Sequence, residues 1–107
     1  SGSELGCSIT QWPEYALKRA GESVDLTCYT TLAYMFWYQQ PSRSSLKLIV
    51  STSKWHQNYY EEGYSEAKFE LSRDKNNLSI MTIKNVTFKD AATYFCAAND
   101  HTMQQEH

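Results

Sequence analysis

The sequence predicts an all-β fold, a two-sheet antiparallel sandwich. Three observations predict it. Short β-favouring runs recur between turn residues, no helix-length segment keeps a 3.6-residue period, and two cysteines flank a tryptophan at sandwich spacing. The chain has 107 residues, 41% of them apolar, which suits one domain with one core. Residues 1–107 therefore read as a single domain. Ser1-Gly2-Ser3 reads as a cloning remnant, and residues 99–107 as an atypical or disordered tail.

The strands follow in order. The first spans about Cys7 to Gln11 and is ended by Pro13, as suits a sheet edge. Ala20-Gly21-Glu22 is a turn. From Ser23 to Tyr29, Val24, Leu26 and Cys28 share one face, while Ser23, Asp25 and Thr27 share the other. Met35 to Gln40 is a strong strand, stopped by Pro41 and a serine-rich turn. Leu46 to Ser51 is the next, then Lys68 to Ser72, closed by the polar turn Asp74-Lys75-Asn76-Asn77. Leu78 to Ile83 and Thr93 to Ala98 complete the set. In the Leu78–Ile83 run, Leu78 and Ile80 share one face and Met81 and Ile83 the other. Spacing to Cys96 favours Met81, Ile83 and Val86 as core, together with Leu26.

Composition narrows the function classes. A formal net charge of −2 gives no electrostatic case for nucleic acid or an acidic membrane. No apolar run approaches the roughly 20 residues that cross a bilayer. No signal peptide is visible, as expected of a mature or recombinant chain. His56, His101 and His107 are isolated and no CxxC pair occurs, so no metal site is expected. Ser, His and acidic residues are scattered, and four glycines form no phosphate loop. An enzyme is not expected, nor a cofactor, nor a small-molecule substrate. Aromatics reach 14%, with eight tyrosines, which suits a rigid protein-binding face. Two sequons, Asn77-Leu78-Ser79 and Asn85-Val86-Thr87, fit a secreted setting.

One constellation carries the argument. Cys28 and Cys96 lie 68 positions apart, with Trp37 between them. Tyr94 precedes Cys96 by two, and Asp90 precedes Tyr94 by four. In a sandwich each has a physical task. The cysteines face one another across the sheets, and their bridge removes unfolded-chain entropy worth about 4 kcal/mol. Trp37 packs on the bridge, and Tyr94 turns its hydroxyl back to the chain upstream. Lys68 is placed to pair with Asp90. Cys7 is then the odd thiol, either free or bridged to another chain.

With these residues in place, the sequence resembles the immunoglobulin V-set family from about Ile9 to Ala98. Phe36-Trp37-Tyr38-Gln39-Gln40, Lys68-Phe69-Glu70-Leu71-Ser72-Arg73-Asp74 and Asp90 to Ala98 resemble the antigen-receptor branch. Ile9 to Pro13 and Glu62 to Ser65 are similar to T-cell receptor β-chain V segments. The resemblance implies a V-type Greek-key sandwich and an extracellular place, on a cell-surface receptor or secreted. The family's joining segment, with its Phe-Gly-x-Gly bulge and alternating final strand, is not matched. The final strand is expected to be missing or atypical. A truncated or unrearranged V segment and a receptor without a joining segment all stay open at this point.

The resemblance also implies two surfaces. Tyr38, Gln40, Leu46, Leu48 and Phe95 would pack against a second V domain, in a hetero- or homodimer. Loops holding Tyr29, Thr30, Thr31, Leu32 and Tyr34, then Thr52, Ser53, Lys54 and Trp55, then Asn99, Asp100 and His101 would meet a protein ligand, for example a peptide–MHC complex. Tyr59 and Tyr60 read as packing on an outer strand. The competing reading is a non-rearranging V-set receptor or adhesion module with germline-fixed loops.

Overall fold

A computed structural model of the chain describes residues 9–74 and 77–100. Two four-stranded antiparallel sheets face each other. The back sheet holds β1 (Ile9–Trp12), β2 (Val24–Thr30), β7 (Leu78–Ile83) and β6 (Phe69–Arg73), in that order. The front sheet holds β5 (Tyr59–Tyr60), β4 (Lys47–Ser53), β3 (Tyr34–Gln40) and β8 (Thr93–Asn99). All-β layering with crossovers between sheets is the V-type sandwich that the sequence implies.

Alternation builds the core. In β2 the inward residues are Leu26, Cys28 and Thr30; in β7 they are Ser79, Met81 and Ile83. The register sets Leu26 opposite Met81 and Val24 opposite Ile83. Met81, Ile83 and Val86 are thus buried, while Leu78 and Ile80 are only half-buried on the other face. From the front sheet, Met35, Trp37, Ile49 and Val50 fill the facing layer. Ile49 and Val50 are adjacent yet both buried, because a bulge opposite Trp37 and Tyr38 breaks the alternation of β4. Cys28 and Cys96 form the disulfide, and Trp37 lies in the same buried cluster. The Trp37 indole N–H donates to the Ser79 hydroxyl at 3.2 Å, so its one polar atom is satisfied.

The lower end is closed by polar contacts. Tyr94 donates its hydroxyl to the Asp90 carbonyl at 2.7 Å and accepts from the Gln39 amide at 2.9 Å. The Tyr64 hydroxyl donates to the other end of that amide at 2.7 Å. Lys68 meets Asp90 at 2.8 Å and donates to the Asn85 carbonyl at 3.1 Å. Thr87 and Asp90 form a reciprocal cap on a single 3₁₀ turn, Phe88–Asp90. Gly21 takes a φ of +92° beside this turn, where its N–H donates to the Val86 carbonyl.

Several element boundaries differ from the sequence expectation. Lys68 precedes β6 and Leu46 precedes β4. β2 runs through Tyr29 and Thr30, β3 begins at Tyr34, β4 includes Thr52 and Ser53, and β8 includes Asn99. Pairing with a neighbouring strand extends each one past the point where its sequence stops alternating. Ser1 to Ser3, Cys7, His101 and the tail to His107 lie outside the described residues.

Candidate functional site

The front sheet turns an aromatic face outward. Trp37 and Gln39 point inward on β3, so Tyr34, Phe36, Tyr38 and Gln40 point out. Tyr38 pairs with Phe95 of β8, and their rings meet edge to face at 6.3 Å. Leu48 is half-buried beside them, and Leu46 is 48% exposed at the end of the β3–β4 connection. Gln40 is exposed, and its amide donates to the Ser44 carbonyl of its own hairpin. Phe36 belongs to this face although the sequence reading did not place it there. Its spacing of two from Tyr38 is the signal that marks it.

The loop end gathers three short segments. Residues 31–33 join β2 to β3, residues 54–58 follow β4, and Asp100 follows β8. Thr30 and Thr52 are buried, which corrects their placement on the loop surface. Thr30 shapes the first loop from below, its hydroxyl accepting the Leu32 N–H at 3.0 Å. Ser53 does the same for the second, accepting from the N–H groups of Trp55 and His56. Tyr34 and Trp55 meet edge to face at 5.8 Å, and Trp55 is 66% exposed. These two rings link the front sheet to the loop tips. Asn99 ends β8 rather than opening a loop.

Charged side chains hold the first loop. Arg73 reaches from the end of β6 and donates to the carbonyls of Leu32, at 2.6 Å, and Ala33, at 2.8 Å. Burial lowers its pKa from the usual value for a guanidinium. Asp100 accepts from the Ala33 N–H at 2.9 Å, and Lys54 donates to the Thr31 carbonyl at 3.3 Å. The sequence reading did not assign Arg73 a role. Its partners lie 40 and 41 residues away, beyond any local pattern.

At the far end, β8 is the edge of the front sheet among the described residues. The Gln11 side chain accepts from the Cys96 N–H and donates to the Tyr94 carbonyl, as a neighbouring strand would. Below it opens a cleft of about 870 Å³ that reaches the core at Leu26, Ile83 and Val86. Tyr15, Leu17 and Phe88 on its rim are all strongly exposed. In the back sheet the edge strand β6 is covered: Asn58 and Tyr60 donate to the Leu71 and Phe69 carbonyls. Among the described residues, no cluster of His, Cys, Asp and Glu side chains could hold a metal ion. No helix among them is long and apolar enough to cross a membrane.

A bridged two-sheet sandwich with an aromatic front face and three clustered loops defines a variable-type immunoglobulin domain. The family model described as "Immunoglobulin V-set domain" matches residues 11–107, and the chain belongs to that family. Human T cell receptor beta variable 20-1 is 30% identical over 100 residues, covering 91% of this chain and 90% of its own length. Human T cell receptor beta variable 29-1 is 31% identical over 98 residues, covering 90% and 88%. A chain of the solved structure described as "Structural basis of T cell specificity and activation by the bacterial superantigen toxic shock syndrome toxin-1" superposes with a TM-score of 0.82 at 27% identity. That match covers 88% of this chain and 82% of the other.

Proposed function

We infer that this chain is the variable domain of an immune receptor that pairs through its front sheet and recognises a protein ligand through its loops. The outward face formed by Phe36, Tyr38, Leu46, Leu48 and Phe95 carries the reading. An apolar sheet face of this kind is a liability in water unless a partner covers it. Likeness to T cell receptor β variable segments supports a second V domain as that partner. It also supports an extracellular, non-enzymatic role and a protein ligand such as a peptide–MHC complex. Trp55 and Tyr34 supply the aromatic anchors that such recognition uses. Of the two sequons, Asn85 lies exposed on a turn, which suits a glycan; Ser79 of the other is buried under Trp37.

Sedimentation of the purified domain, alone and with partner V domains, tests the pairing. The expected result is a complex that Phe95→Asp and Leu46→Asp each weaken. A domain that stays monomeric at high concentration and ignores every V partner overturns it.

A second reading rests on the edge of β8, on which no further strand lies among the described residues. A receptor assembled with a joining segment would lay its final strand there, over the cleft beside Gln11. A non-rearranging receptor or adhesion module would leave the edge to another segment. The exon order of the gene separates the two: a joining segment encoded downstream supports the first.

A further inference from the structure

The Leu32–Ala33 peptide is gripped at both ends by opposite charges. Its carbonyl oxygen accepts from the Arg73 guanidinium, and its N–H donates to the Asp100 carboxylate. The same guanidinium holds the next carbonyl, that of Ala33. Among the described residues, no backbone–backbone bond outside the strand ladders involves residues 31–33. Ala33 is buried, so its backbone groups need partners, and side chains supply them.

This geometry is selective. A guanidinium fork on consecutive carbonyls fixes both peptide planes at once. Rotating the Leu32–Ala33 plane would turn an N–H towards Arg73 and a carbonyl towards Asp100, so both contacts would become repulsive. The two charges come from different places. Arg73 belongs to a back-sheet strand, whereas Asp100 opens the third loop.

We propose that this doubly gripped peptide locks the first loop to Asp100, the residue that follows β8, as one preorganised part of the recognition surface, with Arg73 and Asp100 as its positioning residues. The proposal rests on reading the loops as the recognition surface. It has a consequence for specificity. A change at position 100 reshapes the first loop even when residues 31–33 are untouched. Preorganisation of this kind reduces the ordering that binding would otherwise require.

Amide hydrogen exchange on the purified domain tests the lock without any ligand or partner. Asp100→Ala should speed exchange at the Ala33 amide by about tenfold or more, while Cys28 and Met81 in the back sheet keep their protection. Asp100→Asn keeps an acceptor and should hold Ala33 close to the parent rate. Arg73→Ala should also release Ala33, and Arg73→Lys, with one point charge for two carbonyls, should fall between. If Arg73→Ala does not fold, the two Asp100 variants still decide, because Asp100 is exposed and outside the core. Ala33 exchanging within about twofold of the parent in Asp100→Ala overturns the proposal. So does a rise at Ala33 matched by an equal rise at Met81, which marks general loosening. Either failure leaves the sedimentation result untouched, and a failed pairing leaves the exchange result standing.

Discussion

At the lower end of the sandwich, Tyr94, Gln39, Tyr64, Asp90 and Lys68 bond mainly to one another and to backbone beside the core. At the loop end, Arg73, Asp100 and Lys54 reach to the backbone of one loop, residues 31–33, in which Thr31 is exposed and Ala33 buried. Both ends use charged and polar side chains over long sequence separations. They differ in what would be left behind if one were lost. Below, removing a partner strands a buried amide or hydroxyl, and the sheets themselves lose a clamp. Above, the backbone groups left without a partner belong to a loop, which can turn them to water only by changing shape, while the sheets stay paired. The same kinds of bond therefore stabilise the fold at one end and set the shape of a surface at the other.

That contrast can be broken by a graded series. Tyr94→Phe should have the largest effect, about 2–3 kcal/mol by denaturant unfolding, because the buried Gln39 amide and the Asp90 carbonyl both lose a partner. Alkali should sharpen the same point. Burial, aided by the charge of Asp90, pushes the Tyr94 pKa up to about 12 from 10.0. The folded state favours the neutral phenol, so its contribution is complete below pH 10 and is lost as pH rises towards about 12. Stability measured across that window should fall in the parent and fall less in Tyr94→Phe. Burial also raises the pKa values of Tyr60 and Tyr64, so some slope should survive.

Asp90→Ala comes next, at about 1–2 kcal/mol, since it removes a half-buried ion pair and a cap together. Arg73→Ala should cost at most about 1 kcal/mol of global stability while changing the loop. A loss as large as that of Tyr94→Phe would erase the distinction between the two ends. Glu70→Ala should matter least, within about 0.5 kcal/mol of the parent. Its partner Lys84 lies 3.1 Å away, but the two side chains are 55% and 45% exposed, against 14% and 30% for Asp90 and Lys68.

Much of the fold was legible because its signal is local. Alternation in β2 and in β7 names Leu26, Cys28, Met81 and Ile83 directly. Loop boundaries were harder. Thr30 and Thr52 stand past the last apolar residue of their runs, yet each is buried in a strand, as a β-branched residue can be. β5 is two residues long, too short to show any period. Phe36 is readable from the alternation of β3, two residues before Tyr38 on the same face.

The sequence by itself determined the class of fold, the bridging cysteines with their tryptophan and tyrosine, and the outward face of β3. Each of these follows from spacing along one strand or from a short motif. Only the tertiary structure decided that Arg73 grips the first loop, that Asp100 shares that grip, and that Gln11 covers the edge of β8. Those contacts join residues 40 or more positions apart. No period along the chain records them, because folding alone sets which strand ends become neighbours.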